Sequence, residues 1–455
     1  MKVHQTYDLL VLGGGSGGVA AARRAGALGV RVGLCEERQV GGTCVHRGCI
    51  PKKLLVQASR FPGLLEMAGG HGWEVPPARL DFSRLQQAIR TELQRLEGIY
   101  LGMLERAGVD LHRGHARFLD AHTVEVEGVR LQGRKILIAT GARPFLPEIP
   151  AARAACVSDD IFERETLPRR ILVVGSGYIG SEFASLLHAL GCEVTLIFRS
   201  QHLLPGFDGD LRQDLTESMR TRGIRILPGT RLEDYRPESE MACLTLSDGS
   251  QLQVDLILFA TGRVPNTLEL GLEKAGVQVN QTGGIVVDEF SCTNLPHIFA
   301  VGDVTQRVQL TPVAIAEARA LVETLFRGNP TPVRYELIPK AVFTTPEVAS
   351  VGLTEEEARA QGRQVRIFRT RFRPLKFSLT SCRERVMMKL VVDAGDDRVL
   401  GAHMFGDDAP EIIQALTVAL EAGVTKAVLD RTMPVHPTSA EEFVLMREPV
   451  AEPNP

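Results

Sequence analysis

Two cysteines in "GGTCVHRGCIPKK", residues 41–53, stand five positions apart, with His46, Arg47, Lys52 and Lys53 around them. Such a pair can be a structural staple, half of a metal site, or a redox switch. On a regular helix five residues rise about 7.5 Å, beyond the roughly 4.4–6.8 Å between Cα atoms that a disulfide tolerates. Bonding therefore requires broken backbone, which Gly48 and Pro51 permit. Distortion makes a disulfide easier to reduce, and so short a loop gains little from closure. A zinc site wants about four ligands, and no second Cys/His cluster with ligand spacing occurs, so no metal is expected. The neighbouring cations favour a thiolate and hence exchange chemistry. A redox pair is the reading; inert thiols are the alternative. Cys35, Cys156, Cys192, Cys243, Cys292 and Cys382 are isolated, and no disulfide framework is expected among them.

The elements that must position this pair come in two copies of one plan. The first is the strand "YDLLVLG", a turn Gly13-x-Gly15-x-x-Gly18 opening an alanine-rich helix, and the strand "VRVGLCEE". The second is "RRILVVG", then Gly175-x-Gly177-x-x-Gly180, then "CEVTLIFR". One GxGxxG is weak evidence; two, each between an apolar strand and a helix with a second strand beyond, read as dinucleotide-binding βαβ units. The glycines let backbone approach a pyrophosphate at the positive end of the helix. The second strands end differently. Glu36, 23 positions after Gly13, suits a ribose diol, whereas Arg199, 24 positions after Gly175, suits a 2′-phosphate. Two different nucleotides are implied, the second NADPH; a solvated arginine at a strand end is the alternative for Arg199.

Similar strands, "KILIATGARP" and "LILFATGRVPN", close the two copies, and "NLPHIFAVGDVT" runs a third apolar strand into Gly302 and Asp303. An aspartate on such a loop can hold a polyol hydroxyl, or can simply be a turn residue. From about residue 334 the pattern changes to strands followed by the helix "APEIIQALTVALEAG", a separate α+β domain. The 455 residues call for three or four domains. A net charge of −3 gives no reason to expect nucleic acid or an anionic membrane surface as a partner. No apolar run approaches the roughly 18 residues of a membrane span, and the apolar start runs straight into glycines as a first strand rather than a signal peptide. A cytoplasmic enzyme is expected.

Together, "GGTCVHRGCIPKK", both glycine units, "ATGRVPN", "VGD" and "HPTSAEEF" resemble the flavoprotein disulfide reductases, in order and over nearly the whole chain. The resemblance implies an α/β fold with two Rossmann-like dinucleotide-binding domains plus a C-terminal α+β dimerisation domain. The units would be an FAD-binding domain over 1–142, an NAD(P)H-binding domain over 143–263, a central domain over 264–333 completing the FAD site, and a dimerisation domain over 334–455. Cys49 would lie against the flavin and Cys44 would attack the substrate disulfide, with Lys52 and Glu182 paired near the flavin. Gly13, Gly15, Ser16, Gly18, Glu36, Gly42, Thr43, Thr140, Gly141, Gly302 and Asp303 match the FAD positions. Gly175, Gly177, Tyr178, Gly180, Arg199, Gly262 and Arg263 match the remaining cofactor positions, Tyr178 being the ring over the nicotinamide pocket. His436, oriented by Glu441, matches the general acid–base, contributed by the partner subunit of a homodimer. An imidazole steadied by a carboxylate suits that role, since a thiolate must form and a leaving thiol be protonated near neutral pH.

Within the family, the pattern is most similar to members that reduce glutathione disulfide with NADPH. Arg23, Tyr100, Thr311 and Arg319 fall where those members bind substrate, and the positive charges answer a peptide's carboxylates; as helix residues, Arg23 and Arg319 could also be surface charges. Another low-molecular-weight disulfide, such as a modified glutathione, is the nearest alternative, and lipoamide a more distant one. A second arginine usual in the NADPH site is replaced by Pro205, so NADH is expected as a weaker donor.

Overall fold

The computed structural model describes residues 5–451 apart from 154 and 238–240, so the outermost residues of the first and last expected domains lie outside the described residues. The first apolar run is β1 (Gln5–Leu12), buried continuously from Leu9 onward, as a parallel strand covered on both faces requires. β2 (Val32–Glu36) and β3 (Val109–Arg113) add in parallel on one side of it and β6 (Val129–Ile138) on the other. The start of β6 carries an antiparallel meander of β5 (Thr123–Val126) and β4 (Ala116–Phe118). Its end pairs in parallel with β17 (Ile298–Ala300), so the expected central segment completes the first sheet. α1 (Ser16–Gly26) and α10 (Thr311–Arg327) pack closely through small residues such as Ala21, Ala25 and Ala318, with α5 (Phe82–Arg106) alongside. The short α9 (Leu272–Ala275) packs on β4.

The second copy forms a parallel sheet in the order β11-β10-β9-β15-β8. Its strands are β8 (Cys156–Val157), β9 (Arg170–Val174), β10 (Glu193–Phe198), β11 (Arg225–Pro228) and β15 (Leu256–Phe259). Its helices are α6 (Ser158–Ile161), α7 (Tyr178–Ala189) and α8 (Gly209–Thr221). A meander of β12 (Leu232–Pro237), β13 (Ala242–Leu246) and β14 (Gln251–Val254) is inserted before β15. The chain enters and leaves this unit through β7 (Ala142–Pro144) and β16 (Arg263–Pro265), which pair antiparallel.

The C-terminal unit is an antiparallel sheet, β18-β19-β22-β21-β20, built from β18 (Lys340–Val342), β19 (Val348–Gly352), β20 (Val365–Phe372), β21 (Val386–Asp393) and β22 (Val399–Phe405). It carries α11 (Glu355–Ala360), α12 (Ala409–Glu421), α13 (Lys426–Arg431) and α14 (Glu442–Leu445). A buried ion cluster joins it to the second unit: Lys389 Nζ lies 2.9 Å from Asp208, 2.7 Å from Asp210 and 2.7 Å from Glu355. Among the described residues no helix is long and apolar enough to cross a membrane.

Candidate active site

The distortion expected between the cysteines is present. α2 (Gly42–His46) ends before Arg47, Gly48 bends the chain, and α3 (Cys49–Ser59) starts afresh at the second cysteine. A Cβ on Gly48 would sit 2.9 Å from the Thr43 carbonyl oxygen, so glycine is needed for that approach. Pro51 falls in the first turn of α3, where a missing N–H costs nothing. α4 (Phe61–Gly70) continues the helical run away from the site.

Both cysteines are free thiols, and Cys44 hydrogen-bonds Cys49. That contact, Thr311 and the charge of Lys52 hold the Cys49 thiol down to about 6, although burial opposes them. The same contact, together with burial, pushes the Cys44 thiol up. Thr311 Oγ1 is 3.8 Å from Cys49 Sγ. Thr311, expected with the substrate, therefore sits at the thiols. Lys52 Nζ meets Glu182 Oε1 at 2.7 Å, an ion pair with the two side chains 11% and 3% exposed, and ties α3 to α7. The two sulfurs face different company. Tyr100 feels the charge of Cys44 and of Arg23, whereas Cys49 feels Lys52 and Glu182 and is felt by Tyr178.

This cluster opens on a cleft of about 400 Å³ lined by Gly13, Gly15, Ser16, Glu36, Gly42, Thr43, Thr140, Gly141, Tyr178, Glu182, Arg263, Gly302 and Asp303. A larger hollow, about 1180 Å³, lies between α4, α8 and residues 376–387 and holds none of the candidate site residues; chemistry, not size, identifies the smaller one. The glycine loops explain their own spacing. A Cβ on Gly13 or Gly175 would stand 2.4 or 2.2 Å from the carbonyl of Ala139 or Ala260, and both have positive φ. A Cβ on Gly18 or Gly180 would strike the first glycine's carbonyl at 1.8 or 2.3 Å. At the middle positions the protein leaves room: nothing is nearer than 3.9 Å at Gly15 or within 4 Å at Gly177. The first and third glycines are demanded by packing, and the second keeps space for a ligand, which fits a dinucleotide at each loop.

Glu36 is buried and accepts hydrogen bonds from the backbone of Gly14 (2.6 Å) and Arg38 (2.7 Å), fixing its carboxylate at the cleft. Burial pushes the Asp303 carboxyl up and Tyr178 up to about 12. Arg199 follows β10 immediately, exposed and without a partner among the described residues, and Pro205 is exposed on the loop beyond it. Gly262 has φ +123 with open space at its Cβ position.

Arg23, Tyr100 and Arg319 lie on α1, α5 and α10, which pack together. Arg23 reaches Met103 Sδ at 3.3 Å, and Arg319 is exposed. His436 Nδ1 sits 3.2 and 3.1 Å from the two Glu441 oxygens, and that bond holds the Glu441 carboxyl below its usual range. The imidazole is 79% exposed and does not line the thiol cleft of its own chain. Sequence reasoning missed Asn266 and Phe343, and for Arg47, read there as a cation beside the thiols, it missed the partner. Asn266 exchanges hydrogen bonds with Thr140 at 2.8 and 3.0 Å, and stood in the quoted "ATGRVPN". Arg47 reaches Asp159 at 3.6 Å across the two nucleotide units. Phe343 donates its N–H to Glu182 at 2.8 Å and lays its ring 4.1 Å from Lys52 Nζ; nothing near it in sequence signals this.

A model of the pyridine nucleotide-disulphide oxidoreductases matches residues 7–318, and a model of the dimerisation domain of the same oxidoreductases matches residues 338–447. Similar curated proteins include a glutathione reductase of Nostoc sp., 47% identical over 97% of this chain and 99% of that one. Another is a glutathione reductase of Burkholderia cepacia, at 44% over 97% and 98%. A chloroplastic/mitochondrial glutathione reductase of Pisum sativum is 44% identical over 97% of this chain and 82% of its own.

Proposed function

The chain belongs to the pyridine nucleotide-disulphide oxidoreductases, and we infer that it reduces glutathione disulfide to two molecules of glutathione with NADPH. When bound, FAD supplies the carrier that takes a hydride from NADPH and delivers two electrons to the Cys44–Cys49 disulfide. Gly15 and its neighbours would hold its pyrophosphate, Glu36 its ribose and Asp303 its polyol chain; Gly177 and Arg199 would hold NADPH. With both thiols reduced, the Cys44 sulfur attacks one sulfur of glutathione disulfide, forming a mixed disulfide and expelling one glutathione thiolate. His436 of the partner subunit takes the Cys44 proton as that sulfur attacks and gives it to the departing thiolate. The Cys49 thiolate then attacks Cys44, restoring the protein disulfide and releasing the second glutathione as a thiolate, which takes a proton from solvent. Electrons balance: two leave the dithiol and two are taken up by the substrate disulfide.

The observation that carries the reading is the asymmetry of the thiols: Cys49 feels the charge of Lys52 and is held down, whereas Cys44 is pushed up and its charge is felt by Tyr100. The dimerisation domain supports a homodimer, and the exposed His436, away from its own chain's cleft, is what favours active sites shared between subunits. NADH serves as a weaker donor, since Arg199 is the one cation at the end of β10. Cytoplasmic placement accords with the six further cysteines being free thiols, as a reducing compartment keeps them. The test is steady-state turnover with NADPH against glutathione disulfide, lipoamide and thioredoxin. Glutathione disulfide is expected to give the highest kcat/KM; faster turnover of either competitor sinks the assignment.

A further inference from the structure

Behind the Gly302–Asp303 turn lies a carboxylate that the thiol chemistry does not use. Glu317, on the face of α10 turned toward the turn, is 1% exposed. One oxygen, Oε2, accepts from the Gly302 N–H at 2.7 Å. The other, Oε1, accepts from the Tyr335 hydroxyl at 2.6 Å and pairs with Arg307 at 3.3 Å. Arg307 is itself held by Ser291 Oγ at 3.0 Å and the Asp288 carbonyl at 3.3 Å, with its guanidinium 5.4 Å from the centre of the Tyr335 ring. Every contact of the carboxylate is a donor, and both oxygens are used. The contact at Gly302 is the informative one. Gly302 has φ +76 and begins the turn that carries Asp303 into the cleft, and Asp303 feels the charge of Glu317.

A buried charge that loses its partners is costly, so a carboxylate retained here has its donors fixed around it. The donors come from three places: the turn itself, the residue Arg307 that follows it, and Tyr335 just before the C-terminal unit. The same helix begins with Thr311 against Cys49, so one rigid element spans the thiols and the turn. We propose that Glu317 is a positioning residue for the bound flavin: by clamping the Gly302 N–H against Tyr335 and Arg307, it fixes the turn that presents Asp303 and thereby sets how slowly FAD leaves the protein. This rests on the cleft being the flavin site.

The test follows release of FAD from purified holoenzyme after dilution into flavin-free buffer, read as the rise of free-flavin fluorescence. Glu317→Ala removes both acceptors and is expected to speed release by about ten- to a hundred-fold, the loss of charge-assisted hydrogen bonds. Glu317→Gln keeps the shape and one acceptor oxygen and is expected to fall between it and wild type. Tyr335→Phe removes a single donor and is expected to give the smallest rise, with KM for NADPH unchanged. Should Glu317→Ala fail to fold, the Gln and Phe variants carry the same comparison. Release at the wild-type rate from folded Glu317→Gln and Tyr335→Phe overturns the proposal. So does a lower urea midpoint of the apoprotein with unchanged release, which marks Glu317 as a purely structural residue. Wild-type protein that binds no FAD overturns the flavin reading and the proposal together, an outcome distinct from either of these.

Discussion

A thiolate is tolerable at Cys49 because three groups meet it: the Cys44 thiol donates to it, Thr311 faces it, and Lys52 lends it charge. The sign of the pH dependence follows. Above about 6 Cys49 is ionised, and as pH falls through that value it gains a proton and the charge is lost. Because the two thiols share a proton, titration of reduced wild type belongs to the pair and should proceed in two steps. Cys44→Ala removes the donor that contributes most, so the remaining Cys49 titration, followed by ultraviolet thiolate absorbance, should move up toward an ordinary thiol. A midpoint that stays near 6 would show that Lys52 and Thr311 suffice without Cys44. Lys52 has a second duty, since it neutralises Glu182 inside the protein at 2.7 Å. Lys52→Met should therefore strand a buried carboxylate and cost about 3–5 kcal/mol of stability by urea unfolding. A loss below about 1 kcal/mol would mean that the Phe343 N–H alone satisfies Glu182. At this scale the sequence spoke clearly where chemistry and spacing coincide, as at Cys44, Cys49, Lys52 and the glycines. It was silent on Phe343 and Arg47–Asp159, whose partners are joined only by the fold.

The break between α2 and α3 was legible because the demand of a disulfide conflicts with helical rise, and Gly48 with Pro51 resolves the conflict. Both βαβ units were legible for the same kind of reason: Gly13 and Gly18, like Gly175 and Gly180, are required by contacts within a few residues or with the closing strand. What stayed hidden was the attachment of β17 to β6 and the ion cluster around Lys389, since pairings across more than a hundred residues leave no local signal. That cluster bears on coenzyme choice. Asp208 accepts from Asp210 N at the start of α8 and from Glu355 N, which pins the far end of the loop running from Arg199 through Pro205. With the loop anchored, the cation at its near end is what a 2′-phosphate can meet. One charge-assisted contact corresponds to roughly a 10–150-fold effect, so NADPH should be preferred by about that factor in kcat/KM and NADH should still be measurably used. Raising ionic strength should narrow the gap at so exposed a site. Pro205→Arg should widen it and Arg199→Ala nearly erase it. Wild-type preference for NADH would place the 2′-hydroxyl away from Arg199 and remove the NADPH assignment.

As a whole molecule, the single chain brings no histidine to its own thiol cleft among the described residues. His436 is paired with Glu441, which orients Nδ1 and leaves Nε2 without a hydrogen bond to the described residues of its own chain. Met433 and Val435, just before it, are 90% and 74% exposed, an apolar surface of the sort that a subunit contact covers. A twofold dimer makes each such surface serve twice, so that each subunit's histidine can complete the other's thiol cleft. Mixed dimers separate this arrangement from a histidine acting within its own chain. His436→Ala alone should slow the glutathione half-reaction by roughly 10²–10⁴-fold, as general acid–base catalysis requires, while flavin reduction by NADPH proceeds near the normal rate. Cys44→Ser alone should abolish turnover. In a hybrid of the two variants, one site combines both lesions and the other has an intact dithiol facing an intact histidine. Such hybrids should therefore recover about half of the wild-type activity per dimer, by the two-site symmetry. Full inactivity of purified hybrids, with the dimer intact by sedimentation, would place His436 in the site of its own chain and overturn the shared active site.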